Sequence, residues 1–92
     1  MTKRVEDEII ALARRCGLEQ VILFGSRARG DNRERSDIDL AIRGGNTAEF
    51  ILSADDEIYT LLMFDIVELD RGISEELQSE INRDGVILYE EI

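Results

Sequence analysis

The chain begins with apolar residues at helical spacing. Val5, Ile9, Leu12, Ala13 and Cys16 fall at i, i+4, i+7, i+8 and i+11, which predicts one buried helical stripe over 5–16. Gly17 follows as a helix stop. The period then shortens. Val21-Ile22-Leu23-Phe24 is an unbroken apolar run closed by Gly25-Ser26, the pattern of a buried strand entering a tight turn. Asp37-Ile38-Asp39-Leu40-Ala41-Ile42 alternates. As a strand it sets Asp37, Asp39 and Ala41 on one face and Ile38, Leu40 and Ile42 on the other.

Gly44-Gly45 ends that strand, and Asn46 with Glu49 three residues on marks a helix start. Phe50, Ile51, Ala54, Ile58, Leu61 and Leu62 repeat at helical spacing. Ser53 with Asp56 forms a second capping pattern, so a late start or a break at that point is also open. Phe64-Asp65-Ile66-Val67-Glu68-Leu69 reads as a third strand. Ser74 caps a last helix, with Glu75 and Glu76 in its first turn, Leu77 and Ile81 toward the core, and Gly85 as its stop. Val86-Ile87-Leu88-Tyr89 is a short fourth strand or a docked tail. The order α-β-turn-β-α-β-α-β predicts an α/β (α+β) fold: a small mixed β-sheet with helices packed mainly on one face.

Composition narrows the function. Ninety-two residues make one domain, spanning 1–92, with a small core that a permanent partner would support. There is one cysteine and no histidine, which excludes an internal disulfide framework, Cys- or His-based zinc sites and His-based triads. No apolar run reaches 18 residues, and the N-terminus turns acidic where a signal peptide turns apolar. The expectation is a reduced, cytoplasmic protein with no membrane segment. The formal net charge is −10, which disfavours direct nucleic-acid binding. Residues 55–92 alone hold twelve acids and two bases, whereas 25–43 hold five arginines and four acids. A local basic island in an acidic protein suits a small anionic ligand better than a long polyanion.

That island carries the candidate chemistry. It reads Gly25-Ser26-Arg27-Ala28-Arg29-Gly30, then Asp31-Asn32-Arg33-Glu34-Arg35, then Ser36-Asp37-Ile38-Asp39-Leu40. A strand ending in Gly-Ser and turning into a short helix aims backbone N–H groups at one spot, an arrangement that suits phosphate. Gly25 allows close backbone approach, and Ser26 adds a hydroxyl donor. The next strand brings two aspartates on one face. Two carboxylate charges about 5 Å apart repel by roughly 3 kcal/mol at an effective dielectric near 20. Such pairs recover that cost through Mg²⁺, which takes one or two carboxylates plus phosphate oxygens. A phosphate cradle beside a Mg²⁺ pair describes a nucleoside-triphosphate transfer site.

The run Gly-Ser-x-Ala-Arg-Gly, followed five residues later by Ser-Asp-Ile-Asp-Leu, resembles the signature of the minimal nucleotidyltransferases of the DNA polymerase beta-like superfamily. The resemblance is clear over 18–69 and extends to the flanking helices and to Gly85-Val86-Ile87-Leu88-Tyr89. It implies the polymerase beta-like nucleotidyltransferase palm. It also implies that Gly25 and Ser26 hold the triphosphate, that Asp37 and Asp39 bind two Mg²⁺ ions, and that Asp65 ligates the catalytic metal and helps activate the incoming hydroxyl. ATP would be the substrate. The family is often encoded beside a HEPN-domain toxin, so the resemblance implies an antitoxin that attaches AMP to a toxin tyrosine within a hetero-oligomer. The alternatives are a non-catalytic antitoxin that acts by occlusion, and transfer to a small-molecule hydroxyl. Templated polymerisation is disfavoured by the acidity and by the missing duplex-binding modules.

The remaining singular residues have plainer readings. Arg29 is a candidate phosphate contact or one half of a surface ion pair with Asp31 or Glu34. Arg27, Arg33 and Arg35 read as surface or partner contacts, and Gly30 as a turn glycine. Cys16, Tyr59 and Tyr89 read as packing residues. Should Asp65 face away from the pair, Glu68 and Asp70 are the other third carboxylates in reach.

Overall fold

The computed structural model describes residues 1–30, 37–58, 60 and 62–91. Arg33, Arg35, Ser36, Tyr59 and Leu61 lie outside the described residues, as do Asp31 and Glu34. The elements run α1 (Lys3–Arg15), β1 (Gln20–Phe24), α2 (Ser26–Arg29), β2 (Ile38–Arg43), α3 (Thr47–Glu57), β3 (Phe64–Glu68), a 3₁₀ turn (Leu69–Arg71), α4 (Glu75–Asp84) and β4 (Val86–Glu90). The sheet order is β3-β2-β1-β4. β1 pairs antiparallel with both β2 and β4, and β2 pairs parallel with β3, so the sheet is mixed as expected.

The main core lies on one face of the sheet. There Val5, Ile9, Leu12 and Ala13 of α1 and Phe50 and Ala54 of α3 pack on Val21, Leu23, Ile38, Leu40 and Ile42. Alternation along the strands sends Phe24 and Ala41 to the opposite face. That face is covered too: Ile81 of α4 closes over it, with Leu69, Ile73 and Leu77 packed around. The helices are therefore mainly, but not solely, on one side. The small α4 layer has a functional consequence, because the aspartates of β2 and β3 project to its side.

Local chemistry sets the boundaries. Thr2 caps α1 by accepting a hydrogen bond from the Val5 amide, and the helix begins two residues before the apolar stripe. Asn46 caps α3 by accepting from the Glu49 amide. Ser53 starts no second helix: it is buried inside α3, where its hydroxyl donates to Glu49 at 3.0 Å. A serine hydroxyl satisfied one turn back has no need to cap, so the helix runs through it unbroken. The helix stops at Glu57, short of the apolar periodicity that continues to Leu62. The tail 86–90 is a true strand, and Val86 and Ile87 stay exposed at the sheet's open edge.

Candidate active site

Three chain segments meet at one end of the sheet: the end of β1 and the starts of β2 and β3. Asp39 pairs in register with Phe24 on one side and Asp65 on the other. Neighbouring strands lie about 4.8 Å apart, so the parallel register sets Asp39 and Asp65 side by side. Asp37 stands one residue before β2, exposed. Asp65 is also exposed, and Asp39 is half-buried.

Gly25 forms the floor beside Asp39. Its backbone sits at φ 75° and ψ −157°, a conformation essentially reserved for glycine. A side chain there would run into the Asp39 carboxylate: an added Cβ would fall on Oδ2 and lie 3.1 Å from Cγ. The missing side chain at 25 is what lets Asp39 occupy its place. Ser26 opens α2 directly after this turn, and Gly30 closes the helix in the left-handed conformation, with φ 82°. So Gly25, Ser26, Asp37, Asp39 and Asp65 are brought to one end of the sheet.

The rival carboxylates are elsewhere. Glu68 pairs with Ile42, at the opposite end of the β2–β3 ladder. There it accepts a hydrogen bond from Thr47 at 2.6 Å and an ion pair from Arg71. Asp70 accepts from the Gly44 amide at 2.8 Å and so closes the β2–α3 turn. Both have structural tasks away from Asp39.

Crowding of acids shows in the titration of Asp39. Its carboxyl is held above the ordinary carboxylate range, first by burial and then by the charges of Asp65, Asp37 and Glu80, with Arg29 acting in the opposite sense. A carboxyl raised in the fold binds more protons folded than unfolded. Stability therefore falls as pH rises through the window from the ordinary carboxylate value to the raised one. Asp39→Asn removes that repulsion. We expect the variant to melt above the wild type at neutral pH, the gain shrinking as pH is lowered through that window. Thermal melts at several pH values check this, and about 1 kcal/mol corresponds to roughly 4–8 °C in a domain this size. A variant that melts lower at neutral pH would show that Asp39 has a stabilising partner instead.

Arg29 reaches across to α4, while Asp31 and Glu34, its nearby candidate partners, lie outside the described residues. Its Nη1 donates to Glu80 of α4 at 3.2 Å and lies 4.0 Å from Asp84. Sequence reasoning missed Glu80 and Asp84, since nothing local links α4 to the Gly-Ser turn. Cys16 is buried against the α1–α3 core, and burial raises its thiol pKa, as suits an inert packing residue. Tyr89 is half-buried with Arg14 over its ring at 5.9 Å.

The donor set suits a hard divalent cation. Among the described residues no group of three or more His, Cys, Asp or Glu side chains is arranged to hold a metal by itself. Mg²⁺ needs no such cage, because it is held by one or two carboxylates and completed by phosphates and water. Asp37 and Asp39, two carboxylates at the start of β2 beside the side-chain-free floor of Gly25, are donors of the type that Mg²⁺ takes. A hollow of about 530 Å³ lies elsewhere, between α4 and the β1–β4 end of the sheet, and none of the five residues lines it.

Comparison with known proteins gives the family of the fold. The family model described as polymerase beta, nucleotidyltransferase matches residues 7–91. A crystal structure of a toxin–antitoxin with AMP-PNP matches at 27% identity and TM-score 0.70, over 94% of this chain and 73% of that one. The complex of tri-AMPylated Shewanella oneidensis HEPN toxin with its MNT antitoxin matches at 26% identity and TM-score 0.69, over 99% and 74%. A structure described as a minimal nucleotidyltransferase matches at 29% identity and TM-score 0.67, over 88% and 86%. Among the curated proteins no match is found. With residues 7–91 matched by the family model, nearly its whole length, this chain belongs to the polymerase beta nucleotidyltransferase family.

Proposed function

We propose that this chain transfers AMP from ATP, with Mg²⁺, to a hydroxyl of a partner HEPN toxin, a tyrosine in the first instance, and acts as its antitoxin. The observation that carries the reading is the in-register pair Asp39–Asp65 set beside a Gly25 whose absent side chain makes room for Asp39. The relatives supply the partner class: one is a toxin–antitoxin with AMP-PNP and another a tri-AMPylated HEPN toxin bound to its antitoxin.

In this reading the Gly25 turn and the Ser26 hydroxyl receive the triphosphate, and Asp37 and Asp39 hold the metal ions that accompany it. The metal supplies charge neutralisation on the phosphates and a lowered pKa for the acceptor hydroxyl. The acceptor oxygen bonds to the α-phosphorus, the bond from that phosphorus to the bridging oxygen of the β-phosphate breaks, and pyrophosphate leaves. Asp65, on the exposed side of the pair, helps activate the hydroxyl as it gives up its proton. Asp37 and Asp65 are both exposed, which leaves a bulky protein acceptor room to reach them.

The decisive experiment is the intact mass of a co-purified HEPN-type partner before and after Mg-ATP. Added AMP units are the expected result. An unchanged mass on a tightly bound partner would establish occlusion in place of transfer. Binding alone has its own readout. Mg-ATP at 100 times its Kd stabilises a protein that binds it only when folded by about 2.7 kcal/mol. Asp39→Asn should lose most of that gain, and a wild-type melting temperature indifferent to Mg-ATP would overturn the site.

A further inference from the structure

We propose that Glu80 of α4 is a positioning residue for nucleotide binding, holding the guanidinium of Arg29 on the short helix that follows the Gly25–Ser26 turn, with Asp84 as a secondary anchor. The inference rests on the nucleotide-binding reading above and adds residues that neither the Gly-Ser turn nor the aspartates predict.

Arg29 ends α2, one helical turn beyond Ser26, and its Nη1 donates to the Glu80 carboxylate at 3.2 Å. Asp84, one turn further along α4, lies 4.0 Å from the same nitrogen. Asp84 is shared, since Arg83 donates to it through Nε at 3.0 Å and Nη2 at 2.9 Å, so Glu80 is the stronger of the two α4 contacts to Arg29. α2 starts directly after Gly25, the residue whose missing side chain makes room for the Asp39 carboxylate, so this four-residue helix ties Arg29 and its α4 contact to the site. Arginine is the residue suited to phosphate, but its long side chain must be ordered to serve. An arginine already anchored on α4 brings less ordering cost to the binding step. Ile81, the neighbour of Glu80, is buried under the sheet, so the anchor is itself on a fixed element.

The test is a double-mutant cycle on Mg-ATP affinity with the full chain: wild type, Glu80→Gln, Arg29→Ala and the double variant, with Glu80→Asp as the conservative control. The expected result for Glu80→Gln is a Kd about 3–10-fold weaker, the size of one partly exposed charged contact. Glu80→Asp should recover part of the loss, and Glu80→Gln should add nothing once Arg29 is alanine. Circular dichroism and melting of each variant separate affinity from folding. If the wild type binds Mg-ATP and Glu80→Gln binds equally well, or its effect adds fully to that of Arg29→Ala, the positioning role is overturned while the nucleotide site stands. Tighter binding by Glu80→Gln overturns it also, because Glu80 would then be competing with the phosphates for Arg29. A wild type that does not bind Mg-ATP overturns both readings.

Discussion

Gly25→Val is expected to abolish nucleotidyl transfer and to destabilise the fold at the same time, for separable reasons. The first is backbone: φ 75° with ψ −157° is a conformation that costs a residue with a side chain about 1–3 kcal/mol. The second is collision, since even a Cβ at 25 overlaps Asp39 and a valine adds two methyls to it. Gly30 provides the control. It too has positive φ, at 82°, but an added Cβ there meets none of the described residues within 4 Å. Gly30→Ala should therefore show left-handed strain without that collision, a milder strain than at Gly25, where ψ is −157°. Gly25→Ala should show strain plus collision, and part of its loss should vanish in an Asp39→Ala background, where the colliding carboxylate is gone. Urea unfolding of these variants reads the two contributions. For transfer, displacement of Asp39 together with the Gly25–Ser26 turn, the phosphate cradle in the proposed function, should cost at least the 10²–10³-fold typical of one lost oxyanion donor. A Gly25→Val enzyme that transfers AMP at the wild-type rate would place the triphosphate elsewhere.

The strand faces were legible from alternation alone. Asp39 and Ala41 lie opposite Ile38, Leu40 and Ile42 because a period of two leaves one buried set, and the buried set had to meet the helices. The Gly-Ser turn was legible because glycine and a following short helix leave few other conformations. What lay beyond reach was long-range. Arg29 donates to Glu80, 51 residues on, a contact that nothing near Arg29 in the sequence announces. Which acid of the third strand joins Asp39 depended on the β2–β3 register, and that register is a tertiary fact. It pairs 39 with 65 and sends Glu68 to the far end of the ladder. The length of α3 was misjudged for a related reason. Leu62 continues the apolar period but packs against the main core from beyond the helix end, since burial can be met by a loop as well as by another turn. The α4 layer shows the same limit: Leu77 and Ile81 declare an apolar face, but only the assembled sheet decides which side they cover.

The register also fixes the most informative test of mechanism. Asp65→Asn should bind Mg-ATP within a few-fold of wild type yet transfer AMP at least about 10²-fold more slowly. Asp65 lies on β3, apart from Asp39 of β2 and from Asp37 just before it, and its side chain is exposed. A tyrosine or aliphatic hydroxyl is a poor nucleophile at neutral pH until a neighbouring group or metal draws off its proton. A residue that serves only that step contributes to the transition state and little to the bound ground state, so its loss appears in kcat and spares binding. Isosteric asparagine keeps the volume, and removing one of the acids that raise the Asp39 carboxyl should leave the fold no less stable. Isothermal titration with Mg-ATP and single-turnover transfer to a purified partner read the two halves separately. Because Asp65→Asn leaves the rest of the surface intact, it also decides between chemistry and covering as the means of neutralisation. If co-expression of this variant with the toxin still protects cells, occlusion suffices and AMP transfer is not the source of antitoxin action. If transfer proceeds undiminished, Asp65 is an ordinary strand residue, and the acceptor proton must leave through Asp39 or Asp37.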